Sequence, residues 1–346
     1  MADERVEAAI SNWAPRFVSQ GVDFNDFQRV TSRVETWPEW LPSWVANGDM
    51  HAERAREAEA QGRTLTAGEA WNYAALSYHF AKFVWMVDMK RYREAADRAV
   101  AALREVHRLC DPVAERIEIP FEGTTMVGNL RRPIAADSPA LVVLLPGLDS
   151  TKEEFFEWEN VFLRRGLATF SLDGPGQGET GLHSSIYPDY ERAVSAVLDE
   201  IDGFGAIGVA GVSLGAYYAP RAAAYEKRIR AAAGVSGPFN FGECWDSMPQ
   251  PTRETVMHHT GASSLEEAHE KAAELDLADG APRIDQPLLV ITGKLDRLIP
   301  WQQSEKIART APNATWLLFE EGNHVCNNIP YKYRPLTADW LAEQLR

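Results

Sequence analysis

Along residues 1 to about 110, apolar side chains recur three and four positions apart, as in Trp71-Asn-Tyr-Ala-Ala-Leu-Ser-Tyr-His-Phe-Ala-Lys-Phe-Val-Trp85, and little alternates with a period of two. That spacing lines one face of a helix, so this half is predicted all-α. After Asp111-Pro112 the pattern becomes short β-type runs separated by amphipathic stretches, which predicts strands alternating with helices around a mostly parallel sheet. Strands are expected near Glu115 to Pro120, Thr125 to Arg131, Ala140 to Leu145, Leu167 to Leu172, Ala206 to Ala210, Ala231 to Val235, Leu288 to Thr292 and Thr315 to Phe319. The resulting division is a helical domain over 1–112 and an α/β domain over 113–346. Between Phe239 and Pro282 no strand is predicted; Trp245 to Asp279 reads as loop and acidic helix inserted between two strands, a common form of lid.

The helical half is rich in aromatic rings. Trp37, Trp40 and Trp44 surround two prolines, and Trp71, Tyr78, Phe83 and Trp85 follow on helices. Two readings stand: the rings fill a core between helices or against the second domain, or some of them wall a pocket for an aromatic substrate.

Composition narrows the function classes. With 45% hydrophobic and 25% charged residues among 346, the chain is an ordinary globular protein rather than a disordered, collagenous or disulfide-scaffold one. Thirty-five Lys and Arg against 50 Asp and Glu leave a net charge of −15, which repels phosphate backbones and anionic lipid, so neither nucleic acid nor membrane is an expected partner. Cys110, Cys244 and Cys326 lack the spacing of a disulfide framework or a zinc site. The acidic start Met1-Ala-Asp-Glu-Arg is unlike a signal peptide, and a cytoplasmic location is expected. The longest uncharged run, Gly203 to Pro220, is broken by Gly205, Gly208, Gly211 and Gly215, and reads as buried strand, sharp turn and helix start rather than a membrane span.

Within that run, Gly211-Val-Ser-Leu-Gly215 is a G-x-S-x-G between a predicted strand and a predicted helix, which makes Ser213 the candidate nucleophile. A serine hydroxyl needs a base, and the base needs an orienting group. Leu288 to Asp296 is a strand ending in a loop with an aspartate; Trp316 to His324 is the next strand, ending in a loop with a histidine. Ser213, Asp296, His324 is thus the candidate triad, each member beyond the carboxyl end of a strand. Leu144-Leu-Pro-Gly-Leu-Asp-Ser150 follows a further strand, so the backbone N–H of Leu148 and that of Leu214, just after the nucleophile, are the candidate oxyanion donors. Asp173-Gly-Pro-Gly-Gln-Gly-Glu179 matches no nucleotide-binding fingerprint and reads as a tight structural loop bordering the site. His258, His259 and His269 lack zinc-site spacing and read as surface of the insertion, so no metal is expected. Glu243 reads either as an exposed loop glutamate or as a group facing the substrate pocket, for which Trp85 and Trp245 are further candidates.

With these residues in place, the chain resembles the α/β-hydrolase superfamily, and within it the FrsA-like branch. The marks are Pro146-Gly-Leu-Asp-Ser-Thr-Lys-Glu-Glu154, Asp173-Gly-Pro-Gly-Gln-Gly-Glu179, Gly68-Glu-Ala with the aromatic helix to Trp85, and Asp339-Trp340. The resemblance implies an α/β-hydrolase fold with an eight-stranded, mostly parallel sheet, an N-terminal all-α cap domain packed over the sheet's active face, and a homodimer. It also implies hydrolysis of a carbon–carbon bond beside a ketone on a small aromatic or polyketide-like substrate, with an additional pocket glutamate for which Glu243 is the nearest candidate. A carboxylesterase or lactonase using the same triad is the alternative reading, and a non-hydrolytic binding or regulatory protein is the third. Neither hydrolytic route calls for a metal or an organic cofactor.

Overall fold

In a computed structural model of the chain, residues 3–111, 113–134 and 138–346 are described. Met1, Ala2 and Pro112, the residue at the expected domain boundary, lie outside the described residues. Two compact units emerge: Met1–Ala114 with Glu153–Glu157, and Glu115–Lys152 with Trp158–Arg346.

The first unit is built from five helices, α1 (Glu4–Ser19), α2 (Phe24–Thr31), α3 (Trp37–Ala60), α4 (Thr64–Ala81) and α5 (Met89–Cys110). Asp3, Asp23 and Asp88 cap α1, α2 and α5 through carboxylates that accept backbone N–H groups of the first turn. Trp37, Trp40, Trp44, Phe80, Phe83 and Trp85 are all buried in this unit's own core, where Phe17 stacks on Phe80 at 3.9 Å between ring centroids. Trp40 Nε1 donates to the Phe80 carbonyl at 3.0 Å, so one of the polar edges that tryptophans bring inside is answered. Glu154 sits within this helical unit, fully buried, and its carboxylate accepts from Arg16, Gln20 and His79.

The second unit carries β1 (Glu115–Phe121), β2 (Thr124–Arg131), β3 (Leu141–Leu145), β4 (Ala168–Asp173), β5 (Ile207–Val212), β6 (Ile229–Val235), β7 (Leu288–Gly293) and β8 (Ala314–Phe319). They form one sheet in the order β1-β2-β4-β3-β5-β6-β7-β8, antiparallel from β1 to β4 and parallel from there on. β3 reads as an unbroken apolar run because both of its faces are covered; every residue of β3 and of β7 is buried. The helices are α6 (Phe156–Leu163), α7 (Glu191–Glu200), α8 (Gly215–Tyr225), α9 (Gln250–His259), α10 (Leu265–Ala273), α11 (Trp301–Thr310) and α12 (Pro330–Gln344). The insertion after β6 contains α9 and α10, and an isolated bridge between Asn240 and Asp276 closes its base. Among the described residues, no helix is long and apolar enough to cross a membrane.

Candidate active site

β5 delivers the chain to Ser213, which takes φ = +55°, a left-handed conformation that costs a non-glycine residue about 1–2 kcal/mol. The corner is held because its neighbours lack side chains. A methyl group on Gly211 would strike the Gly215 carbonyl, and one on Gly215 would strike that of Leu145, with the Pro146 carbonyl at 2.7 Å. The backbone N–H of Ser213 donates to the Val235 carbonyl at 2.9 Å, which fastens the corner to the end of β6.

Asp296 follows β7 and is held by the first bend of its own loop, its Oδ1 accepting from the N–H groups of Leu298 at 2.9 Å and Ile299 at 3.0 Å. His324 follows β8. The two loops touch backbone to backbone, Leu295 N–H donating to the Gly322 carbonyl at 2.8 Å. Val325 and Cys326 both adopt positive φ, and Val325 N–H donates to Ser236 Oγ at 3.0 Å, so the turn presenting His324 is pinned to the end of β6.

Distances then link the three side chains. His324 Nδ1 lies 2.8 Å from Asp296 Oδ2, and His324 Nε2 lies 3.0 Å from Ser213 Oγ. Because the carboxylate only accepts, Nδ1 carries the proton and Nε2 is left to accept from the serine hydroxyl. The Asp296 side chain is wholly buried, while that of His324 is 13% exposed. Such an arrangement can move a proton from hydroxyl to imidazole and stabilise the imidazolium that forms.

Leu148 follows β3, and Gly147 lies against Ser213: a methyl group there would sit 3.1 Å from Ser213 Cβ and 3.4 Å from its Oγ. Neither the Leu148 nor the Leu214 N–H donates to an acceptor among the described residues, so both can serve as donors to a bound group.

Of the three pocket candidates, Trp85 belongs to the helical unit, and Trp245 and Glu243 to the other. Trp85 is buried in the helical unit, its Nε1 donating to the Trp37 carbonyl at 2.8 Å. Trp245 is half-buried at the base of the insertion, stacked on His269 at 5.0 Å with Arg253 5.6 Å from its ring centre. Glu243 accepts from Gln303 Nε2 at 2.7 Å and lies 3.6 Å from Lys306 Nζ, with its side chain half-exposed.

Two features differ from the sequence reading or go beyond it. His259, expected at the surface of the insertion, is buried, and its Nδ1 donates to the Gly176 carbonyl at 2.6 Å, because α9 packs onto the 173–179 loop. That loop carries a polar core of its own. Lys152, buried with Asp173, donates to it through Nζ at 2.8 Å and through its backbone N–H at 2.9 Å, and Gln177 reaches the carbonyls of Pro146 and Gly147 at 2.7 and 2.8 Å. A glutamine among glycines was the sole local signal for the second set of contacts.

Comparison with known proteins gives concordant results. Residues 142–261 match the model of the alpha/beta hydrolase family. The chain is 33% identical over 348 residues to 2,6-dihydropseudooxynicotine hydrolase of Paenarthrobacter nicotinovorans, covering 98% of this chain and 93% of that protein. The crystal structure of 2,6-dihydroxy-pseudo-oxynicotine hydrolase superposes with a TM-score of 0.87 at 32% identity, over 96% of each chain. AbyA5 superposes with a TM-score of 0.77 at 19% identity over 93% of this chain and 90% of its own, a likeness of fold.

Proposed function

The chain belongs to the α/β-hydrolase family and is a hydrolase, and from that premise we propose that it cleaves a carbon–carbon bond beside a ketone in a small aromatic or polyketide-like substrate, using Ser213 as nucleophile, His324 as general base and acid, and Asp296 to orient the imidazole. The observation that carries the reading is the unbroken line Ser213 Oγ, His324 Nε2, His324 Nδ1, Asp296 Oδ2, with steps of 3.0 and 2.8 Å. Likeness across nearly the whole chain to a hydrolase of an oxynicotine derivative favours a ketone substrate over a general ester.

In this reading His324 Nε2 takes the hydroxyl proton as Ser213 Oγ attacks the ketone carbon, and the oxyanion is received by the N–H groups of Leu148 and Leu214. Collapse of the tetrahedral adduct breaks the carbon–carbon bond, its electron pair flowing into a second carbonyl or a ketonised phenol one carbon away. The His324 imidazolium then protonates that carbon. Water, deprotonated by His324, attacks the acyl-serine and releases a carboxylic acid and free Ser213. One water is consumed, one carbon gains hydrogen and the other becomes a carboxylate. A homodimer in the cytoplasm belongs to the same reading, and light scattering that shows a monomer at micromolar concentration would remove the dimer from it.

Product analysis by liquid chromatography and mass spectrometry, on ortho-hydroxyaryl diketones, short aryl esters and lactones, tests the proposal. Diketone cleavage that disappears in Ser213→Ala is the expected result. Turnover of esters or lactones alone would make the enzyme a carboxylesterase or lactonase, and diketone cleavage retained by folded Ser213→Ala would refute the nucleophile assignment.

A further inference from the structure

Gly147 C=O and Leu148 N–H belong to one peptide unit. Among the described residues no peptide bond is cis, so the carbonyl and the N–H of that unit point in opposite directions. Whatever holds the Gly147 carbonyl therefore aims the Leu148 N–H. Gln177 holds it: the side-chain amide is fully buried, and its two hydrogens are shared between the carbonyls of Pro146 at 2.7 Å and Gly147 at 2.8 Å. Two carbonyls can only accept, so Nε2 must face them and Oε1 must face away. Oε1 is met by the Tyr190 hydroxyl at 2.6 Å. Burial, with Tyr218 and Asp173 nearby, raises the Tyr190 phenol well above its ordinary value, so it stays protonated and donates. The Tyr190 ring is fixed in turn, stacked on Tyr218 at 3.8 Å.

We propose that Gln177 is a positioning residue for the oxyanion hole, setting the plane of the Gly147–Leu148 peptide so that the Leu148 N–H faces the reacting carbonyl, with Tyr190 holding Gln177 in register. The inference rests on the assignment of Ser213 as nucleophile with Leu148 as an oxyanion donor, and it adds a residue that never touches substrate. Free of Gln177, that peptide can rotate between conformations that present N–H or C=O to the site. Reaction then proceeds only from the fraction that presents N–H, so the transition state suffers while ground-state binding does not.

A fluorophosphonate probe separates the two. Ser213 Oγ attacks phosphorus, fluoride leaves, the hydroxyl proton passes to His324, and the phosphoryl oxygen occupies the oxyanion position. The maximal labelling rate, the probe concentration for half-maximal rate and the thermal midpoint are measured for wild type, Gln177→Leu, Tyr190→Phe and Ser213→Ala. We expect Gln177→Leu to label about 10²–10³-fold more slowly, the loss associated with one oxyanion donor, at an unchanged half-saturating concentration. Tyr190→Phe should lose less, in the same parameter. Wild-type labelling rates in folded Gln177→Leu would overturn the inference, as would a loss confined to half-saturation. If Gln177→Leu does not fold, Tyr190→Phe decides by the same criteria. Wild-type protein that does not label, or that labels as Ser213→Ala does, refutes the nucleophile assignment instead.

Discussion

Arg16 grips Glu154 with two parallel hydrogen bonds, Nε to Oε1 and Nη2 to Oε2, each 2.7 Å long and each out of reach of solvent. Gln20 Nε2 adds a third donor at 2.9 Å and His79 Nε2 a fourth at 3.0 Å. Burial, with Lys82 beside it, holds the His79 imidazole below its ordinary value and hence neutral at physiological pH. Burial alone would push the Glu154 carboxyl up, but the Arg16 charge and these donors override it and hold it well below the usual carboxylate range.

Removing one partner of such a pair strands the other. Arg16→Met is expected to destabilise the protein by about 3–5 kcal/mol in urea titrations, and Arg16→Met with Glu154→Leu by less, because the double variant leaves no buried carboxylate behind. A pH dependence accompanies this. A folded-state value below the unfolded one contributes stability that is complete above the unfolded glutamate value of about 4.3 and lost as pH falls from there through the folded value. Wild-type stability should therefore fall more steeply with acidification below about pH 4 than that of Glu154→Gln.

Ser213→Ala and His324→Ala remove chemistry without removing packing. Each is expected to lower kcat by at least about 10⁴-fold, with a thermal midpoint close to wild type, measured on whichever diketone or ester the wild type turns over.

Asp296→Asn tests orientation more finely. The oxygen that accepts from the Leu298 and Ile299 N–H groups has to remain an oxygen, so the new amide nitrogen faces His324 Nδ1. Nδ1 must then accept, the proton moves to Nε2, and Nε2 can no longer take the proton of Ser213. A loss in kcat of about 10⁴-fold with little loss of stability is expected; a folded Asp296→Asn variant with near-wild-type kcat would contradict it.

The thiols offer a solution check on burial. Burial, with the Asp296 carboxylate nearby, pushes both Cys244 and Cys326 up to about 12, while Cys110 is exposed. Titration of the native protein with a disulfide reagent at pH 8 should count one thiol, and titration in guanidinium three.

Legibility in the sequence followed the range of the interaction concerned. The apolar runs at Leu141–Leu145 and Leu288–Ile291 announce strands because burial on both faces favours apolar side chains at every position. The G-x-S-x-G corner is equally local: its glycines are there to let carbonyls pass within a few residues of one another or from the next strand. Trp71 to Trp85 reads as one helix by its period, yet α4 stops at Ala81 and the chain turns through Val84 at φ = +41°. Period records which side chains are buried, and Phe83 and Trp85 remain buried after the turn. His259 looked like surface because its partner, the Gly176 carbonyl, is 83 positions away. Gln177 stands out only as a glutamine among glycines, and that does not reveal its targets, which lie 31 and 30 positions back.

The insertion after β6 begins and ends at one place. Leu277 N–H donates to the Phe239 carbonyl at 2.9 Å, Phe241 N–H to that of Leu275 at 3.0 Å, and Asn240 Nδ2 to Asp276 Oδ2 at 2.8 Å. With its neck tied, the segment 241–275 imposes no change of spacing on β6 and β7, whatever its length. The loops that follow β6 and β7 therefore keep their places whatever α9 and α10 do within the segment. The segment is still anchored beyond its neck: Val256, Ala268 and Ala272 are buried in the core that the sheet shares, Ile186 N–H donates to the His259 carbonyl at 2.8 Å, and His259 Nδ1 donates to that of Gly176 at 2.6 Å.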